Sequence, residues 1–292
     1  VVEGSSRVST LLSTTPAVAE APASGAGRAL LRTILRQVAT MVLVLGVVVL
    51  LWIAGLRIFD VSEYVGKGPS DVWTALFGED DSAELRSEIG TLLLETLGDA
   101  AIGFVSGMLA AIALAALVVR SKVMESTVMP VALVLQTVPL IALAPILILV
   151  IGRGYAIVAV MSAIVVLFPA LVNITVGLRS VTPQMRDLVL VYGGSPTTVL
   201  RKVAFPSALP ALFASVRIAV PGAMTGALLA EWLATGRGIG YAVVSAASRS
   251  QINRVWALVV VITLVSLLLY LVAQLVEAAV LSRFGRTAGQ GR

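Results

Sequence analysis

Long apolar runs alternate with short polar segments along most of this chain. A helix needs about 20 apolar residues to cross the hydrocarbon core of a bilayer. Runs of that kind lie at about 38–56, 92–119, 128–151, 156–178, 209–231 and 255–281. Their apolarity is continuous, without the alternation of a barrel strand. Lipid also leaves no partner for an unpaired backbone group. The pattern therefore predicts an all-α polytopic membrane protein with six transmembrane helices, built from residues 28–292. Residues 1–27 are rich in Ser, Thr, Ala, Pro and Gly without apolar period, and are expected to form a disordered cytoplasmic tail. A cleaved leader is not expected, because the cations begin only at Arg28 and the apolar run behind them is too long.

Composition supports this picture and narrows the chemistry. The 292 residues are 58% hydrophobic and only 13% charged, against about 25% charged in an average soluble domain. Cysteine and histidine are absent. That removes disulfides, thiolate chemistry, the usual zinc ligand and any Ser-His-Asp triad. No catalytic residue, metal site or cofactor is assigned to the chain. The net charge of +5 comes with only 5% aromatics and belongs to loops, so a bilayer and not nucleic acid is the expected environment.

The Lys/Arg bias sets an orientation. Arg28, Arg32 and Arg36 precede the first span. Arg120 and Lys122 follow the second; Arg179, Arg186, Arg201 and Lys202 follow the fourth; Arg283, Arg286 and Arg292 follow the sixth. These segments share one side, expected to be cytoplasmic, with both termini. The loop after span 1 is acidic. Arg237, Arg249 and Arg254, all between spans 5 and 6, run against the trend on the other side.

One cytoplasmic segment, 181–210, is polar and closely punctuated. Thr182 can cap a helix that begins at Pro183. Met185, Leu188, Val189 and Tyr192 then share one apolar face. Gly193 and Gly194 end it, Ser195 caps a second helix beginning at Pro196, and Pro206 is expected to stop that helix. Pro210 opens span 5. The expectation is a helix-turn-helix held by its greasy face against the ends of the spans, either a plain connector or a docking element.

Polar residues inside spans are suspects by default. Gln136, Asn173, Arg217, Thr225 and Glu231 are the candidates for a translocation path. Arg217 either meets an anion or pairs with a carboxylate. Glu231 either gates a cavity or sits in interfacial water. Glu95 and Asp99 are read as starting span 2, where a helix N-terminus favours them. Gly103 with Gly107, and Gly222 with Gly226, allow close helix approach. Pro221 is expected to kink span 5, and Pro130, Pro139 and Pro145 to break span 3.

The segment 181–210 resembles the EAA loop of binding-protein-dependent ABC importer permeases, with Asp187, Gly193 and Leu209-Pro210 at the loop's acidic, glycine and terminal positions. The usual Glu-Ala-Ala is Asp187-Leu188-Val189 here. "LQTVPLIALAPILILVIGRG" (135–154), "FPALVNITVGLRSV" (168–181) and "AEWLATGRGIGY" (230–241) are similar to the nitrate/sulfonate/taurine-type subfamily. The resemblance implies a permease that pairs with a second copy of itself, two cytoplasmic ATPase subunits and an extracytoplasmic solute-binding protein. In that reading Asp187, Gly193, Gly194, Ser195, Pro196, Arg201, Lys202, Pro206 and Pro210 couple to the ATPase, and the loop 232–253 helps receive the binding protein. The solute implied is a small organic anion (sulfonate, taurine or nitrate-like), a thiamine-precursor pyrimidine or riboflavin. ATP and Mg would be bound by the ATPase, since no G-x-x-x-x-G-K-[ST] occurs here. An ion-gradient-driven secondary transporter is the rival; it calls for paired midplane carboxylates and internal repeats.

Overall fold

The computed structural model of the chain describes residues 24–284, and they are all-α. Most of the expected tail lies outside the described residues; Ser24–Gly27 form the first turn of α1 (Ser24–Ile58). Then come a short surface helix α2 (Pro69–Phe77) and α3 (Ser82–Arg120). At 39 residues α3 is about 58 Å long. That is nearly twice the hydrocarbon core, so the turns bearing Glu84, Arg86 and Glu88 have room to stand outside it. Next are α4 (Lys122–Leu135), α5 (Leu140–Ile151) and α6 (Tyr155–Leu178).

Among the described residues five helices are long and apolar enough to span a membrane, and α4 with α5 makes a sixth only as a bent pair. The two meet at 109°. The break falls at Gln136–Pro139, where Pro139 has no N–H to continue the helix and the Thr137 hydroxyl donates back to the Val134 carbonyl at 2.7 Å. Pro130 and Pro145, expected to break the span as well, stay inside their helices.

The polar insert follows as α7 (Pro183–Val191) and α8 (Pro196–Val199). From α8 the chain passes through a π-helical turn at Leu200–Ala204 into α9 (Phe205–Ser207). Pro206 therefore does not stop the second helix. In the π turn Phe205 N–H reaches back five residues to Leu200, and this wider turn accommodates the proline that an α register would exclude. α10 (Leu209–Ala230) starts at once and ends in a second π turn, Glu231–Thr235. The expected loop 232–253 is mostly helix, α11 (Gly238–Ser248), with Ile239, Ala242 and Ala246 buried. α12 (Ile252–Phe284) closes the bundle.

The core is α6 gripped between α3 and α10. A Cβ on Gly103 would lie 2.0 Å from Ser162 Cβ, and one on Gly226 would lie 2.6 Å from Ser162 Cα. Both helices thus meet α6 at one serine, whose hydroxyl donates to the Ala223 carbonyl at 3.2 Å. Small residues are what make this approach possible, and packing with interhelical hydrogen bonds is what holds helices together in lipid. By contrast α1 is peripheral. None of its most apolar window is buried, against 44% for α6. It leans on α12 through stacked Trp52 and Trp256, whose Nε1 donates to the Val65 carbonyl at 2.9 Å.

Gly103→Leu should force α3 off α6 and lower the thermal midpoint of the detergent-solubilised protein by about 5 °C or more. Gly98→Leu, one turn away with open space around it, should change it little.

Candidate functional site

The insert at one end of the bundle is built by local chemistry. Thr182 Oγ1 accepts the Met185 N–H at 3.4 Å, and Ser195 Oγ accepts the Thr198 N–H at 3.2 Å. Gly193 takes the left-handed conformation (φ 79°). Gly193 N–H then bonds the Leu190 carbonyl at 3.0 Å and Gly194 N–H the Val189 carbonyl at 2.9 Å, which is a Schellman turn. A Cβ on Gly194 would sit 2.7 Å from that Val189 oxygen. The two helices differ in attachment. Leu200 and Ala204, in the π turn that follows α8, are buried in the core of the bundle, but no residue of α7 is. The expectation that the whole insert packs on the spans therefore holds only for its second half. Met185, Leu188 and Tyr192 project into open space, and Tyr192 is 84% exposed. Asp187, Pro196, Arg201, Lys202, Pro206 and Pro210 are also exposed. A lever held at one arm and bare on the other is suited to contact something else.

The polar residues of the spans do not gather in one place. Gln136 is exposed at the break between α4 and α5. Asn173 is half-buried in α6. Thr225 is exposed, with its hydroxyl on the Pro221 carbonyl at 3.0 Å. Arg217 pairs with Glu277 of α12 at 3.4 Å.

Glu231 belongs to a different assembly, at the end of α10 away from the insert. Glu95, Thr96 and Asp99 meet it there. They do not start a helix, because α3 begins at Ser82, thirteen residues before Glu95. Together these four side chains bind the segment Arg237–Gly240. Arg237 Nη2 contacts both Asp99 oxygens at 3.0 and 3.2 Å, and its guanidinium lies 3.3 Å above the Tyr155 ring. Gly238 N–H donates to Glu95 (3.2 Å), Ile239 N–H to Thr96 (3.0 Å) and Gly240 N–H to Glu231 (2.8 Å). These are the first three N–H groups of α11, which have no partner inside the helix. Glu231 is fully buried and its Oε1 has no hydrogen-bond partner. The sequence reading missed this knot. Its signal was two carboxylates four apart in an apolar run, which need a counter-charge.

Gly238 has φ 75° and room for no Cβ, since one would fall 2.2 Å from Glu231 Cδ. Gly236 has φ 71° but open space. Gly236→Ala should cost about 1–2 kcal/mol from the left-handed backbone alone. Gly238→Ala should cost at least twice that in a denaturation series, because it also splits the knot.

The profile of the family described as "Binding-protein-dependent transport system inner membrane component" covers residues 103–285, from the middle of α3 to the end of α12. The "Probable ABC transporter permease protein" of Haemophilus influenzae is 31% identical over 78% of this chain and 91% of its own length. The "Formylaminopyrimidine transport permease protein ThiX" of Halalkalibacterium halodurans is 34% identical over 52% of this chain and 60% of its own length. The "Nitrate import permease protein NrtB" of Synechocystis is 28% identical over 65% and 69%. The family match begins at Gly103, the residue that seats α3 on α6, and includes the insert and the Arg237–Gly240 segment: this chain belongs to the binding-protein-dependent transport family of ABC transporter permeases, multi-pass inner-membrane components.

Proposed function

We propose that this permease works as the membrane half of an ATP-driven importer, with α7 at the cytoplasmic face as the docking arm for the ATPase. The observation that carries this is the bare apolar face of α7 on an insert anchored through the π turn Leu200–Ala204. α10 runs from that insert to the Glu231 knot, about 33 Å away, and offers a rod for passing motion across the membrane. ATP and Mg belong to the ATPase. Both termini lie in the cytoplasm, and the α2–α3 and α11 end faces the solute-binding protein.

Two copies enclose the path. The break at Gln136–Pro139 supports this, because backbone outside a helix is tolerated at membrane depth only when protein covers it or it lines water. Gln136 and Thr225 line the path in this reading, and Asn173 lies nearer the core. The solute is a neutral heteroaromatic of the pyrimidine or flavin kind. The relatives named for formylaminopyrimidine and riboflavin are 34% and 30% identical over about half of this chain, against 27% to 29% for those named for nitrate and aliphatic sulfonates. Arg217 and Arg237 already have carboxylate partners, so neither offers an anion spare charge. The gradient-driven rival is not favoured, given the family.

Leu188→Asp with Tyr192→Asp changes only exposed positions. The detergent-purified variant should keep its fold but lose co-purifying cognate ATPase about tenfold or more, since a buried apolar side chain contributes about 1.5–3 kcal/mol. Undiminished ATPase would remove α7 from the interface. The absence of cysteine permits a direct test of orientation. In intact cells a membrane-impermeant maleimide should label Asp80→Cys and not Gly193→Cys.

A further inference from the structure

A cavity of about 660 Å³ opens where the ends of α3 and α6 meet the start of α4 and the insert. Its rim carries Arg120, Lys122, Arg179 and Arg186 against one carboxylate, Glu125. Glu125 is already committed, since Arg179 donates to it. Among the described residues no ion pair within 4.0 Å engages Arg120 or Arg186, and Lys122 acts on the already paired Glu125 only at longer range. Crowding like charges is unfavourable without an anion between them. The floor is the opposite in character: half-buried Val119 and Val181 and exposed Leu190 present apolar surface over the buried Val118 and Leu178.

Depth narrows the choice of ligand. Arg120 is the last residue of α3 and Arg179 the first beyond α6, where spans emerge among lipid headgroups. A free inorganic anion would use the rim and leave the apolar floor wet. An amphiphile uses both, and a cavity of this size lies within the usual range for ligand sites.

We propose that this cavity binds an anionic phospholipid, with its phosphodiester on the cationic rim and its glycerol and first acyl carbons on the floor. The ligand then wedges the anchored arm of the insert against α3 and α6. This requires the chain to sit in a bilayer but not that an ATPase docks, so loss of ATPase binding and loss of lipid binding are separate results.

The test is native mass spectrometry of the full chain in mild detergent with added phosphatidylglycerol or phosphatidylcholine. Lys122→Gln with Arg186→Gln removes two rim charges; Arg201→Gln with Lys202→Gln removes two that do not line the cavity. Phosphatidylglycerol should stay bound to wild type and to the second variant, and fall about tenfold or more in the first. Phosphatidylcholine should not be retained, and inorganic phosphate at equal concentration should not displace the lipid. Equal retention by both variants overturns the proposal, as does equal retention of the two lipids. Displacement by phosphate would identify a free-anion site instead. Loss of co-purifying ATPase from the first variant with unchanged lipid would assign the rim to the ATPase.

Discussion

Hydrocarbon offers no partner to a backbone N–H or carbonyl, and every departure from helix in this chain is answerable to that constraint. The Gln136–Pro139 break, inside an apolar run long enough to span, is one such departure, and it lies on an exposed face. The turn at Gly236–Gly238 is another. Its cost is met from within the chain, because Glu95, Thr96 and Glu231 take the three free N–H groups of α11. Arg237 then closes the turn onto Asp99 and Tyr155. One irregular segment is thus sealed by side chains, and the other awaits a second copy or water.

Between these segments the bundle is held by approach, not by bulk. Gly103 and Gly226 let α3 and α10 close on Ser162, so the three central helices behave as one body. The insert is attached to that body at Leu200 and Ala204 and free at α7. Force applied to α7 has a short route into α10, and α10 ends at the buried carboxylate that fastens α11. Rigid connection from a docking arm to an opposite closure is the mechanical requirement for a transporter driven from outside its own chain.

Much of this was legible in the sequence where the cause is local. Thr182-Pro183, Ser195-Pro196 and Gly193-Gly194 spell caps and a turn that depend on no distant residue, and each forms as spelled. Apolar length located the spans but not the helix ends: α3 begins ten residues before its apolar run, because helix formation does not require lipid. The fate of Pro206 was not legible, since the π turn ahead of it goes with the burial of Leu200 and Ala204. Nor was the pairing of Arg237 with Asp99, 138 residues apart. "GIGYAVVSAAS" reads as loop because it lies between two apolar runs long enough to span, although its small and apolar residues are those of α11.

In the proposed importer the broken helix lines a path that ATP opens and closes. The most direct measurement is labelling of Gln136→Cys, in the otherwise cysteine-free chain, with an impermeant maleimide in sealed vesicles containing the complex with its ATPase. The account predicts that reactivity from one face rises and from the other falls when a non-hydrolysable ATP analogue is bound. A site that stays unreactive from both faces in both states would place Gln136 against lipid, and the path would have to be sought elsewhere in the bundle.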